Sequence, residues 1–354
     1  MLNTVVALII PIYNTEIVKL RSCIKSILRQ TFRDFVLILV DDGSVNSCGD
    51  VCDSFAANDK RIRVIHQNNM GSVRARQNGV LSEEAQGAKY ICFCDSDDTM
   101  PCDALQLLVD TAEREKADCV CGNTRRTYRG IPLPQKFTPP CFAEKLKTVY
   151  SNRDIINKLY ISCFGISNYP VALYSKLYRK ELITQVSNYP PIVKFMGEDL
   201  SVTLRLLPKT EKLVIIPDEI YNYNIGGGTS RFMPFMLEDF LSLYKFKKEM
   251  MILHPMPQNA EYFISVEMKN IIMTWLEMCC VQGKYDSTAI NDEILRVCNI
   301  AEVREAMEQK DFAEKETGGI RKAILENNID YINAQVAEKV SAGKYRRIVK
   351  SILK

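Results

Sequence analysis

Hydrophobic positions along this chain follow two rhythms. Residues 5–10 form an unbroken apolar run that ends at Pro11, and residues 35–40, 63–65, 90–94 and 117–121 form further runs. Short runs without alternation suit strands buried on both faces of a parallel sheet. Between them the spacing changes. Ile17, Leu20, Ile24, Ile27 and Leu28 recur at helical intervals, which predicts an amphipathic helix over 16–30. A short helix ending near residue 57 and helices over 71–81 and 104–114 complete the alternation. Strand–helix alternation of this kind predicts βαβ units and a doubly wound α/β sheet. Right-handed crossovers place the strand C-terminal ends on one edge, where such sheets bind ligands.

Beyond residue 121 the rhythm breaks. Residues 122–150 are Pro-rich and read as a loop insertion; 172–182 and 192–207 resume order, and 213–216 reads as another strand. Three consecutive glycines make 225–230 a flexible loop, and from about Pro234 the pattern is helical without a repeat. The expected division is therefore 1–230, split at 121 into a nucleotide-binding half and an acceptor or catalytic half, followed by a helical region over 231–354.

Composition adds limits. The chain has 354 residues, 47% hydrophobic and 25% charged, as in a globular protein with a large core. A net charge of +3 argues against a nucleic-acid partner. The 13 cysteines sit mostly in apolar runs. Neither Cys48 with Cys52 nor Cys119 with Cys121 has C-x-x-C spacing, so buried reduced thiols are expected rather than zinc. No signal-peptide pattern opens the chain and no apolar run reaches membrane-spanning length, which places the expectation in the cytoplasm. The tail 344–354 is basic with Tyr345, Ile348 and Ile352 interleaved. It would suit peripheral contact with an anionic membrane, but a solvated helix end is the simpler reading.

Polar motifs follow three of the strands. Asp95-Ser96-Asp97-Asp98 can offer carboxylate oxygens to one hard divalent cation, Mn²⁺ or Mg²⁺, or can be an ordinary polar turn. Asp41-Asp42-Gly43-Ser44 can accept a hydrogen bond from a base N–H, or be an Asp-Gly turn. Gly197-Glu198-Asp199 reads, alone, as an acidic helix N-terminus.

Taken in order, these motifs resemble the inverting family 2 glycosyltransferases of bacterial polysaccharide biosynthesis. The residues that carry the likeness are Ile9-Ile10-Pro11-Ile12-Tyr13-Asn14, Ser26-Ile27-Leu28-Arg29-Gln30-Thr31-Phe32, Leu39-Val40-Asp41-Asp42-Gly43-Ser44, Gly71 with Ala75-Arg76, Asp95-Ser96-Asp97-Asp98 and Gly197-Glu198-Asp199. The resemblance implies a GT-A fold, with a mixed, mostly parallel sheet flanked by helices and a C-terminal helical extension. It implies a UDP-sugar donor and a saccharide or lipid-linked acceptor. It also gives roles to residues. Tyr13 would stack on uracil in a pocket shaped by Pro11 and Asn14. Asp42, beside Asp41, would accept from the base, and Arg76 would lie over the base or diphosphate. Asp97 would ligate the metal; Asp95 and Ser96 would meet ribose or metal-bound water. Asp199 would be the catalytic base, with Glu198 its rival. Ser230 or Arg231 would touch the diphosphate from the glycine loop.

Two departures stand out. Gln77 occupies a position where the family often has Asn, and no histidine is placed to join the metal. A nucleotidyltransferase and a non-catalytic nucleotide-binding module are the other readings; the first would need a Gly-rich, basic loop where Tyr13-Asn14-Thr15 stands.

Overall fold

The structure, a computed structural model, describes residues 4–128, 130–134, 139–143, 146–225, 232–254, 256 and 259–352, with side chains as far as residue 343. The alternation read from the sequence is present: β1 (Val6–Ile12), α1 (Ile17–Leu28), β2 (Phe35–Asp42), α2 (Cys48–Asn58), β3 (Ile62–Gln67), α3 (Ser72–Leu81), β4 (Tyr90–Phe93) and α4 (Ala104–Glu115). Then come β5 (Cys119–Tyr128), β6 (Ile131–Pro132), β7 (Thr148–Ser151), the single turn α5 (Asn152–Asp154), β8 (Lys176–Arg179), α6 (Lys180–Ser187), α7 (Glu198–Leu206) and β9 (Lys212–Asn224).

The described strands make one sheet in the order β3-β2-β1-β4-β8-β5-β9-β7, with β6 paired to β5. Strand β1 runs parallel to β2 and β4, β2 to β3, and β5 to β9. Strand β8 lies antiparallel between β4 and β5, and β7 is antiparallel on β9. The sheet is therefore mixed and mostly parallel. The order reverses at β1, so the crevice beyond the ends of β1 and β4 is the topological switch point. One face buries Leu8, Ile10, Leu37, Leu39 and Cys92 under Leu20, Ile24 and Ile27 of α1, Cys48 and Cys52 of α2, and Leu105 and Leu108 of α4. On the other face α3 lies so close that a Cβ on Gly79 would stand 2.6 Å from Ile9 Cγ2.

Three expectations change. Pro11 does not end β1, which continues to Ile12 paired with Asp41. Beyond Ile9, β4 no longer flanks β1, so a missing N–H there is cheap. The span 122–150 is not only loop: β5 runs on to Tyr128, and β6 and β7 extend the sheet. Lastly, the strand expected over 213–216 is longer, running from Lys212 to Asn224 as β9.

Two compact units partition the chain, one over Met1–Cys163 and Ser167–Gly228, the other over Phe164–Ile166 and Thr229–Lys354. The second unit is helical: α8 (Met236–Leu253), α9 (Ala260–Val281), α10 (Ser287–Cys298), α11 (Ala301–Glu308), α12 (Lys310–Lys315), α13 (Gly319–Leu325) and α14 (Ile329–Ile352). Its core centres on Trp275, whose Nε1 donates to Glu293 Oε1 at 2.6 Å while Phe232 stacks on its ring. No helix among the described residues is long and apolar enough to cross a membrane. The side chains of the basic tail lie outside the described residues. All cysteine thiols except those of Cys102 and Cys280 are buried.

Candidate active site

The switch point is built from the turns that leave β1, β2 and β4. After β1, Tyr13 projects 52% exposed, and partly buried Pro11 precedes it. Asn14 adopts φ 48°, an αL conformation that Asn tolerates. Its N–H donates to Ser44 Oγ at 3.1 Å, and its Oδ1 accepts from the Val45 N–H at 2.9 Å. The β1 and β2 turns are thereby tied together. Thr15 Oγ1 and Ser96 Oγ share a hydrogen bond of 2.6 Å, which spans the crevice between β1 and β4.

Asp42 holds the loop that follows β3. Its buried carboxylate accepts from Gln67 Nε2 at 2.6 Å and from the backbone N–H groups of Met70 and Gly71, each at 2.8 Å. Gln67 is itself held by Asn78 Nδ2 at 2.7 Å. The carboxylate thus fixes the loop into α3, where Gly71 has φ +86° and admits no side chain without strain. Asp41 accepts from the Ser44 N–H at 3.2 Å and meets His66 Nδ1 at 3.1 Å. The hydrogen bond from His66 to Asp53 raises the imidazole above its usual range, with Asp41 adding to the effect.

Helix α3 delivers Arg76 to the centre. The Arg76 guanidinium is buried; Nη2 donates to Asp95 Oδ1 at 2.7 Å, and Nη1 lies 3.7 Å from Glu198 Oε1 and 3.6 Å from Asp199 Oδ1. Residues from β4's exit and from the N-terminus of α7, about 100 positions apart, therefore share one cation. Burial opposes the charge on Arg76, but Asp199, Asp95 and Glu198 together raise it above its usual value. Arg76 Nε and Nη1 and Asp199 Oδ1 are buried without a hydrogen bond among the described residues. Glu198 also accepts from Ser72 Oγ at 3.2 Å. Burial raises both acids, and Asp199's charge adds to the rise at Glu198. Acids of raised proton affinity in a cleft are groups suited to proton transfer. Gln77 sends its Nε2 to the Tyr189 carbonyl at 2.9 Å, so this departure serves packing of α3.

After β4, burial and then Asp95 raise Asp97, with Lys19 opposing. Asp98 is almost wholly buried; burial and Asp95 push it up to about 8, against hydrogen bonds from Tyr221 Oη at 2.8 Å and the Asn224 N–H at 2.6 Å. Sequence reading missed the other half of this arrangement. Tyr221 Oη also accepts from the Asp95 N–H at 3.0 Å, so β9 sets the backbone of the acidic turn. Tyr174 stacks on Tyr221 at 4.4 Å and on Tyr223 at 6.0 Å. Asn224 Nδ2 donates to the Asp97 carbonyl at 2.9 Å. Alternation of Tyr and Asn over 221–224 was the available signal, since period two is a strand's rhythm. Ser230 and Arg231 lie outside the described residues.

Among the described residues no group of three or more His, Cys, Asp or Glu is poised to hold a metal. What the turn does offer is two crowded carboxylates: Asp95, with one oxygen on Arg76, and Asp97, whose proton affinity is raised by burial and by Asp95. Hard oxygen donors in mutual repulsion fit a divalent cation that takes its remaining ligands from a substrate's oxygens and water.

The family model described as Glycosyl transferase family 2 matches residues 7–180, which include the acidic turn and stop short of Glu198 and Asp199. Glycosyltransferase GlyG of Streptococcus pneumoniae serotype 4 is 38% identical over 235 residues, covering 64% of this chain and 73% of GlyG. EpsJ of Bacillus subtilis, named an uncharacterized glycosyltransferase, is 31% identical over 239 residues, covering 65% of this chain and 64% of EpsJ. A cholesterol galactosyltransferase of Borreliella burgdorferi is 28% identical over 226 residues, covering 63% of this chain and 62% of its own length. Crystal structures of S. aureus TarS 1-349 share the fold: the complex with UDP superposes with a TM-score of 0.64 at 15% identity, over 96% of this chain and 92% of that one.

Proposed function

The chain belongs to glycosyl transferase family 2, and from that membership and the cleft geometry we propose that it transfers a sugar from a UDP-sugar to a saccharide or lipid-linked acceptor with inversion at the anomeric carbon. The observation that carries the proposal is the meeting of Asp95, Glu198 and Asp199 on Arg76, at the switch point where Tyr13 stands exposed. TarS, with the same fold, was crystallised with UDP and with UDP-GlcNAc, which supports a uridine nucleotide as donor.

Tyr13 offers its exposed ring to the base, beside Pro11 and Asn14. Asp42 acts through the loop it holds, and Asp41 and Ser96 shape the same rim. Asp95 and Asp97 would hold a Mn²⁺ or Mg²⁺ ion, which supplies charge neutralisation for a leaving diphosphate. Asp199 takes the proton from the acceptor hydroxyl as it attacks. Its Oδ1 has no hydrogen bond among the described residues to lose, whereas Glu198 is held by Ser72. The raised proton affinity of Asp199 suits a base that must accept a proton near neutral pH. Arg76 keeps that base ionised and oriented. By the family likeness, the setting is bacterial surface polysaccharide assembly on the cytoplasmic side, where the basic tail could meet the membrane.

The experiment is a panel of UDP-sugars with Mn²⁺, scored for UDP release and for isothermal binding. Asp199→Asn should bind UDP as the wild type does while turnover falls about 10²- to 10⁴-fold. Well-folded wild type that neither binds nor consumes any member of the panel would overturn the reading.

A further inference from the structure

Beside the acidic turn lies a cation that the transfer described above does not use. Arg126 is on β5, in register with Tyr223 of β9. Register partners share a face, and residues two apart on a strand do so too. Thr124, Arg126, Tyr221 and Tyr223 therefore line one face, the one on which Tyr174 stacks against Tyr221 and Tyr223. Arg126 is partly buried and forms no ion pair or side-chain hydrogen bond with a described residue. Its neighbour Arg125, on the opposite face, has Glu219 at Nε, 2.6 Å away. The Tyr223 hydroxyl is raised first by burial and then by Asp98, Asp97 and Asp95, while Arg126 opposes them. Tyr223 thus interacts electrostatically with both the acidic turn and the guanidinium.

We infer that Arg126, with the ring of Tyr223 as its floor, is a subsite for an anionic group on the acceptor, either a phosphate or a carboxylate borne by a saccharide. The inference rests on the glycosyltransferase reading and names its substrate class. A half-buried guanidinium with no counterion among the described residues presents a planar fork of donors that matches carboxylate or phosphate oxygens. The aromatic stack beside it is a surface on which a sugar ring can lie, with Tyr174 within electrostatic reach of both Asp95 and Asp199. An acceptor seated there would have its charge on Arg126 and its hydroxyl toward the proposed base.

The experiment titrates full-length protein, with and without saturating UDP, against matched saccharides at low salt: trigalacturonate, its methyl ester, glucose 6-phosphate and glucose. Wild type should bind trigalacturonate or glucose 6-phosphate at least 10-fold more tightly than the neutral counterpart; which of the two charged ligands shows the preference separates carboxylate from phosphate. Arg126→Gln should abolish the preference, and Arg126→Lys should restore part of it. UDP titrations of each protein in the presence of Mn²⁺ report the donor site separately. If wild type binds UDP but does not distinguish charged from neutral saccharides, the inference falls and the donor reading stands. If Arg126→Gln keeps the preference and loses UDP affinity instead, Arg126 serves the donor's diphosphate and the inference is likewise wrong. If UDP with Mn²⁺ does not bind wild type, the donor reading fails on its own arm, while the saccharide titration still decides whether Arg126 selects anions.

Discussion

Replacing Arg76 by Gln removes the positive charge against which Asp95, Glu198 and Asp199 are held. Breaking one partner out of a buried ionic cluster destabilises by about 3–5 kcal/mol. Here the loss should depend on pH. Burial already raises Glu198 and Asp199, and without Arg76 both rise further. The folded chain then keeps protons that the unfolded chain has released. Stability from such groups is full below the ordinary carboxylate range and drains away as pH rises through their folded values. Urea unfolding of Arg76→Gln should therefore show the larger deficit at pH 8 and a smaller one at pH 5. Equal deficits would mean that Arg76 does not set the charge of the two acids. Tyr221→Phe is the second residue-level case. It strips the acceptor from the Asp95 N–H and the donor from Asp98, both buried behind the turn. Leaving such groups unpaired costs about 1–3 kcal/mol, measurable by the same melts.

At the scale of elements, what the chain disclosed was whatever hydrophobic period could carry. Strands β1, β2 and β4 are buried on both faces and read as apolar runs, and α1 and α4 read by their stripes. Strand β8 did not read, because Lys176 lies in it, buried, with its ammonium on the Pro170 and Ala172 carbonyls. A hydrophobic pattern cannot announce a lysine satisfied by loop carbonyls that only the fold supplies. Likewise Asp42 was legible as a functional-looking acid, but its three internal donors come from residues 67–71, whose approach depends on β3. The acids of the site were legible because each follows a strand or opens a helix; Tyr174 and Tyr221 were not, since they act across the sheet. Close packing was equally silent. Gly79→Ala should cost about 1–3 kcal/mol, since its Cβ would meet Ile9 and Val40 of β1 and β2. Gly318→Ala, with nothing within 4 Å, should stay within about 0.5 kcal/mol in the same thermal melts. His66 links β3 to β2 and α2 through Asp41 and Asp53. Its raised proton affinity gives stability that is full below the unfolded histidine range and lost as pH rises through the folded value. His66→Asn should therefore weaken the protein more at pH 5.5 than at pH 8. Because the ring is half exposed, solvent screening keeps that difference small.

For the molecule as a whole, the decisive quantity is the charge collected in the first unit's cleft. Asp95, Glu198 and Asp199 converge around Arg76, and Asp97 stands within reach of Asp95 and Lys19. A nucleoside diphosphate is itself anionic, so UDP alone meets repulsion and should bind poorly. Mn²⁺ would reverse the sign where the diphosphate must lie. UDP with Mn²⁺ at 100 times its Kd should then stabilise the folded chain by about 2.7 kcal/mol, whereas UDP without metal should give little. Asp97→Asn separates the two sides of this bargain. Removing one crowded carboxylate relieves repulsion, so the ligand-free variant should be more stable by about 0.5–2 kcal/mol, as when a strained functional group is removed from an active site. The same variant should show no joint UDP and Mn²⁺ shift. Differential scanning fluorimetry across the four conditions reads both effects. If the UDP shift persists without metal, or survives in Asp97→Asn, the acidic turn is a structural feature of β4's exit and the donor's charge is met elsewhere.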